Sequence, residues 1–291
     1  MPPTSRSPQR VAFLGPVGTF SEEAALLYAP GAELIPFPSI TAVATAVAAG
    51  MADAGVVPIE NSLEGSVNET LDMLIDETQV RISQELVLPI RQCLLVKPGT
   101  QADEVRVIYS HPQALAQCRN YLAYFFPNAQ VAATASTAAA VEQMMKDDQP
   151  AAAIGPQRAA QLWGAQTLAQ NIQGPRPNIT RFVVLTLRDH PPTGDDKTSL
   201  CFSFAEDKPG LLYQVIGEFA QRRINLAKIE SRPMKDSLGS YYFLIDCQGH
   251  RQDKVVVRHV EQVVEHAGGP AIRGVLPTGG TETGLAGVGH D

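Results

Sequence analysis

Five short strings hold residue types that could do chemistry. Pro58-Ile59-Glu60-Asn61-Ser62-Leu63-Glu64-Gly65-Ser66 follows an apolar β-rich run. Ser66 with Glu69 fits a helix capping box, but Asn61, Ser62 and Glu64 have no such duty. Neutral donors and carboxylates at a strand's carboxyl end stand where α/β proteins bind ligands. Gly15-Pro16-Val17-Gly18-Thr19-Phe20-Ser21 joins a strand to a helix, so its backbone N–H groups suit either an anion or only a tight turn. It lacks the third glycine of a dinucleotide fingerprint and the Lys of a P-loop. Ser110-His111-Pro112-Gln113 fits a second capping box, with His111 either structural or catalytic and Gln117 one turn further on the same face. Ser136-Thr137 opens another helix. Asn178-Ile179-Thr180-Arg181-Phe182 supplies a guanidinium fork that would pair with a carboxylate or lie solvated. Several helix N-termini around one cleft, with few lysines, suit small carboxylates.

The elements that must position these strings alternate. Strands are expected at 11–14, 33–37, 55–59, 105–109, 130–133, 151–154 and 181–187, with helices at 21–28, 41–49, 67–76, 112–126, 137–146 and 156–163. This pattern implies βαβ units and a mainly parallel sheet. Residues 80–96 hold β-rich pieces and no helix, as expected of a crossover between two lobes, and the late strand near Arg181 would cross back to the hinge. A Pro-, Gly- and Asp-rich linker spans 189–197. Beyond it the order βαββαβ over 198–277 is that of a ferredoxin-like unit, with helices at 210–222 and 253–266 and a last strand at 271–276. The glycine-rich tail 278–291 is expected to be disordered.

Composition excludes several classes. Lys plus Arg number 23 against 30 Asp plus Glu, a net charge of −7, which argues against nucleic acid as a partner. The four cysteines are scattered without a CxxC pair, so they are expected to be reduced and to hold no metal. The longest apolar stretch, 41–59, is Ala-based and contains Asp53 and Pro58, which is no membrane span. A cytoplasmic protein is expected, with no nucleic acid or membrane partner.

Together the strings GPVGTFS (15–21), PIENSLEGSV (58–67), SHPQALAQC (110–118), NITRF (178–182) and ESRP (230–233) resemble prephenate dehydratase. Five in order cover the chain from about 10 to 275. The resemblance implies an α/β fold: a two-lobed, periplasmic-binding-protein-like (type II) catalytic domain over 10–188 and a ferredoxin-like ACT regulatory domain. It implies conversion of prephenate to phenylpyruvate, CO2 and water without metal or cofactor. It assigns Thr180 as the essential residue, with Asn61, Ser110 and Gln117 as partners and Glu64 or Glu60 as a proton source. Thr19, Ser21, Ser62, Arg181 and Phe182 are the substrate-binding candidates. Phenylalanine would bind at a subunit interface of a homodimer or homotetramer, at Gly210, Leu211, Leu212, Asn225, Glu230, Ser231 and Arg232. The ACT domain could instead serve only as a dimerisation module. About nine residues precede the first strand, which leaves no room for a fused chorismate mutase domain, and a monofunctional chain is expected. Gly174 stands where many relatives carry a polar or acidic residue, which bears on the shape of that loop. Arogenate dehydration and a non-catalytic small-acid sensor are the other readings of the same motifs.

Overall fold

Ala-rich helices between short apolar strands build two thin α/β lobes, because small side chains let helix and sheet approach closely. The computed structural model describes residues 8–76, 79–204, 206, 208–235, 239–254, 256 and 275–279. Lobe 1 begins β1 (Arg10–Leu14), α1 (Phe20–Tyr28), β2 (Glu33–Phe37), α2 (Ile40–Ala48), β3 (Ala54–Asn61), β4 (Gly65–Ser66), α3 (Asn68–Asp76) and β5 (Arg81–Pro89). Lobe 2 is β6 (Cys93–Val96), β7 (Val107–Ser110), α4 (Pro112–Phe125), β8 (Gln130–Ala133), α5 (Thr137–Lys146), β9 (Ala151–Gly155), α6 (Gln157–Trp163) and β10 (Gln166–Ala169). The chain then returns to lobe 1 as β11 (Ile179–Thr186).

The lobe sheets run β2-β1-β3-β11-β5 and β10-β6-β9-β7-β8. They are mixed rather than mainly parallel, since β11 runs antiparallel to both β3 and β5, and β6 antiparallel to β9 and β10. The reason is topological: the strands that leave and re-enter a lobe at the hinge need no helical crossover, so they add in the opposite sense. The two crossing segments bond to each other, Ile90 N–H to the Asn178 carbonyl at 2.7 Å and Ile172 N–H to that of Gln92 at 3.1 Å. This is the two-lobed type II arrangement. Each sheet is packed on both faces, lobe 1 by α2 and α3 on one side and α1 on the other.

Across the cleft Arg158, at the start of α6, pairs with the buried carboxylate of Glu22 on α1 at 2.7 and 3.1 Å. A Cβ at Gly18, whose φ is +83°, would stand 3.3 Å from that of Ala159 on α6, so only glycine gives the turn and the close approach of the lobes.

The C-terminal unit comprises β12 (Asp196–Ser203), α7 (Leu211–Gln221), β13 (Leu226–Pro233), β14 (Tyr241–Gln248) and β15 (Val275–Gly279). Its antiparallel order β13-β14-β12-β15 is the ferredoxin-like one. The expected helix at 253–266 and the tail lie largely outside the described residues, and the last strand sits further along than 271–276. One sheet face packs on α7 through Leu200, Phe202, Val215, Phe219 and Ile245. The other turns Leu244 onto the core of lobe 1.

The linker is fastened rather than loose. The Asp196 carboxylate accepts from the Thr193 hydroxyl and from the N–H groups of Thr193 and Gly194. Asp189, His190 and His250 bring potential ligand atoms within 4.8 Å of one another. Both His250 nitrogens, however, are engaged, one near the His190 carbonyl and the other accepting from Gln252 N–H, while Arg251 pairs with Asp189.

Candidate active site

Three helices begin at one cleft of about 370 Å³ between the lobes. Thr19 caps α1, His111 caps α4 through Nδ1, and Ser136 caps α5. All three caps line the cleft, so the partial positive ends of three helix dipoles converge there. Ser21, Gln92, Gln113, Gln117 and Thr137 add polar groups, and Phe20, Pro58, Ile90 and Phe182 add apolar walls. Among the described lining residues there is no Lys, Arg, Asp or Glu, and His111 is the one histidine.

A line of four side chains crosses the floor. The Asn61 Oδ1 accepts the N–H groups of Leu63 and Glu64 at 2.9 and 3.1 Å, which fixes the orientation of the amide. Its Nδ2 therefore donates to Asn178 Oδ1 at 2.7 Å and to Thr180 Oγ1 at 2.9 Å. Asn178 Nδ2 donates in turn to Gln117 Oε1 at 2.9 Å. Since the Thr180 oxygen accepts from Asn61, its own proton is turned to another acceptor. Gln117 likewise keeps its Nε2 donors for a ligand. Thr180 is only 8% exposed and Asn178 5%, so both donors act in a nearly dry setting.

The structure thus brings together Asn61, Gln117, Thr180, Thr19, Ser21 and Phe182. Thr19 spends its hydroxyl on the loop, donating to the Pro16 carbonyl at 3.0 Å. Other expected residues lie elsewhere. Ser110 is buried behind the floor and donates to the Ile154 carbonyl at 2.7 Å, so it neither caps α4 nor lines the cleft. Ser66 forms no capping box, since it bonds Glu230 and Lys228, and Glu69 reaches Ile40 N–H at the start of α2. Ser62 sits outside, accepting from Ile179 N–H and donating to the Pro177 carbonyl. Glu64 is exposed on the turn and Glu60 is held by Arg181 and Lys228, which leaves neither at the cleft to supply a proton.

Arg181 is the main correction. A strand alternates faces, so with Thr180 in the cleft Arg181 must point away. It meets Asp246 at 3.0 Å and Glu85 and Glu60 at 3.3 Å, so its guanidinium is spent there and does not clamp a substrate carboxylate in the cleft. The same alternation on β13 sends Glu230 and Arg232 onto lobe 1, to Ser66 and Asp72, while Ser231 faces the other way. Gly210 and Leu211 open α7, Leu212 packs into the core beneath it, and Asn225 is exposed before β13. Glu230 and Arg232 therefore do not share a face with Ser231, and they serve the contact between domains.

The residues missed are Asn178 as the central link, and Gln92 and Ile90 in the crossing segment. An Asn two positions before Thr180 on an extended strand must share its face, a signal that was available. Nothing in the local pattern marks Gln92.

A family model described as prephenate dehydratase matches residues 11–190, and one described as ACT domain matches residues 200–265. The bifunctional chorismate mutase/prephenate dehydratase of Stutzerimonas stutzeri is 42% identical over 272 residues, which cover 93% of this chain and 73% of that protein. The prephenate dehydratase of Lactococcus lactis subsp. cremoris is 38% identical over 252 residues, covering 85% of this chain and 90% of the relative. The crystal structure of the Arthrobacter aurescens prephenate dehydratase in complex with L-Phe superimposes with a TM-score of 0.83 at 38% identity, covering 92% of this chain and 89% of that one. With matches over nearly its whole length and a cleft to suit them, the chain belongs to the prephenate dehydratase family and carries a C-terminal ACT domain.

Proposed function

We propose that the cleft between the lobes converts prephenate into phenylpyruvate, with Thr180 as the donor to the departing hydroxyl. Prephenate carries two carboxylates. The ring carboxylate leaves as CO2, its electron pair enters the ring, and the ring hydroxyl departs with one added proton as water. A carboxylate that must lose its charge leaves most easily where no cation holds it. The absence of Lys and Arg from the described lining supports that half of the reaction. The side-chain carboxylate is served by the converging N-termini of α1, α4 and α5.

The observation that carries the reading is the orientation of Thr180: its oxygen accepts from Asn61, so its proton is available to a leaving group. An alkyl hydroxyl is too weak an acid to give up its proton outright, so Thr180 stabilises the leaving oxygen and relays a proton. His111, whose Nδ1 accepts from Gln113 N–H and which lines the cleft, is the candidate to resupply that proton.

Phenylalanine is the proposed inhibitor through the ACT domain, supported by the Arthrobacter relative's complex with L-Phe. The chain works as a homodimer or homotetramer in the cytoplasm; the exposed Tyr213, Ile229 and Tyr241 of the ACT domain are apolar surface that a second subunit would cover. The test is purified chain with prephenate, following phenylpyruvate with and without phenylalanine. Product that phenylalanine suppresses supports both domain roles. Product without suppression reduces the ACT domain to an interface. No product from prephenate or from arogenate refutes the enzyme and favours a sensor of small acids.

A further inference from the structure

We propose that Arg181 and Asp246 form a positioning device: the ACT domain, through Asp246, holds Arg181 and so fixes the Thr180 hydroxyl on the opposite face of β11. The proposal rests on the reading of Thr180 as the donor. The register places the two functions side by side, with Thr180 opposite Asn61 and Arg181 opposite Glu60. One pair lies in the cleft and the next lies in the domain interface, one residue apart on the same two strands.

On the β5 side the ladder runs unbroken through Thr180 and Arg181, opposite Leu88 and Val87, but on the β3 side it does not. Between Arg181 and Phe182 the register slips, the partners passing from Glu60 to Pro58, and proline has no N–H to donate. The extra residue, Ile59, is on β3, so the bulge re-aims the end of β3, with Asn61, against the Thr180 face of β11. The side chain of Arg181 adds to the β5 ladder a hold on β11 from the domain interface. Two of its nitrogens, Nη1 and Nη2, share the Asp246 Oδ2 at 3.0 Å, and Glu85 and Glu60 close the other sides. The Asp246 carboxylate is itself oriented by the Ser199 hydroxyl, 2.6 Å from Oδ1. Lys197 and Lys228 face the same carboxylates, to Glu85 and Glu60 at 3.4 Å each.

Stability is a poor explanation for this cluster. The guanidinium is mostly buried and its Nε has no hydrogen-bond partner. Burial works against its charge, but Asp246, Glu85 and Glu60 keep it cationic. Buried ion pairs cost about as much in desolvation as they return, and a packed apolar contact would dock the domains at least as well. Directional grip on β11 is what an apolar contact would lack.

The test compares two cuts in the same interface. Asp246→Ala removes the grip on Arg181. Asp72→Ala removes the bonds to Arg232 and Lys235, which dock the ACT domain on α3 away from β11. Steady-state kinetics with prephenate should show kcat down about tenfold or more for D246A with KM within about twofold, and both constants within about twofold for D72A. Equal losses of kcat in the two variants, or a D246A effect confined to KM, would overturn the proposal. Should D246A fail to fold, S199A loosens Asp246 more gently; a kcat about threefold down supports the device, and unchanged kcat refutes it. Hydrogen exchange separates this from the functional reading. If the wild-type chain turns over no prephenate, the functional reading fails. The device then stands on faster exchange of the 179–186 peptide in D246A, or S199A in its place, but not in D72A, and falls without it.

Discussion

Replacing Thr180 by Val tests the donor role most directly, because the side chain keeps its shape and loses only the hydroxyl. The oxygen it loses accepts one hydrogen bond, from Asn61 Nδ2 at 2.9 Å. Asn61 still donates to Asn178 Oδ1 at 2.7 Å, and its own Oδ1 stays bonded to two backbone N–H groups. The amide is thus not orphaned, and the loss of stability should be about 1 kcal/mol, the net worth of one hydrogen bond. A preorganised donor aimed at charge that develops in the transition state is worth much more, about 2.7–4 kcal/mol, or 10²–10³ in kcat. Thr180→Val should therefore lower kcat by about two to three orders of magnitude with KM changed by less than about threefold. Thr180→Ser keeps the hydroxyl and should stay within about tenfold of the wild type. The assay is initial-rate formation of phenylpyruvate, beside a thermal melt of each variant. Kcat of T180V within about threefold of wild type would refute the reasoning, as would T180S falling as far as T180V.

Other expectations bear on the scaffold. At Gly155, beneath the start of α5, a Cβ would stand 2.9 Å from Val141 Cγ2 and 3.2 Å from the Thr137 carbonyl oxygen. Gly155→Ala should thus cost about 1–3 kcal/mol, seen as a lower denaturant midpoint, and disturb the helix end at the cleft. Burial disfavours the charge of Asp196, but the Thr193 hydroxyl and two backbone N–H groups outweigh it and hold the carboxyl below its ordinary pKa. The stabilisation is complete above an unfolded-chain pKa of about 3.9 and fades as the pH falls through the lower folded value. Acid titration followed by circular dichroism should accordingly show a flatter low-pH limb in Asp196→Asn than in the wild type. Burial pushes the thiols of Cys118 and Cys247 up to about 12, so neither should react with a thiol reagent at pH 8 until the chain is unfolded.

Much of the fold is written locally. The cap Ser136, the helical periodicity of Leu212, Val215, Ile216 and Phe219, and the β-rich runs between helices each follow from a few neighbouring residues, and these elements stand where the sequence puts them. The polar strand end at Asn61 is legible for the same reason, since it breaks the apolar pattern, whereas Thr180 is marked only by the family resemblance. Sheet direction was not legible. The return of β11 antiparallel to β3 depends on which lobe the chain comes from, and no local pattern records that.

The side on which a strand residue serves is decided later still. Alternation states only that Thr180 and Arg181 face opposite ways. That Thr180 takes the cleft, while Arg181 takes the interface, is settled by the ACT sheet that brings Asp246 to one face of lobe 1. Likewise Ser66 and Ser110 have the spacing of caps, yet Glu230 and the Ile154 carbonyl offer them nearer partners from elements distant in sequence. The sequence by itself determined most of the elements, because backbone propensity and side-chain type act over a few residues, and through its motifs the family and six of the residues at the cleft, Thr19, Ser21, Asn61, Gln117, Thr180 and Phe182. Only the tertiary structure decided which carboxylates hold Arg181 and which way the Thr180 proton points, because a hydrogen bond or ion pair goes to whichever partner the fold places within about 3 Å.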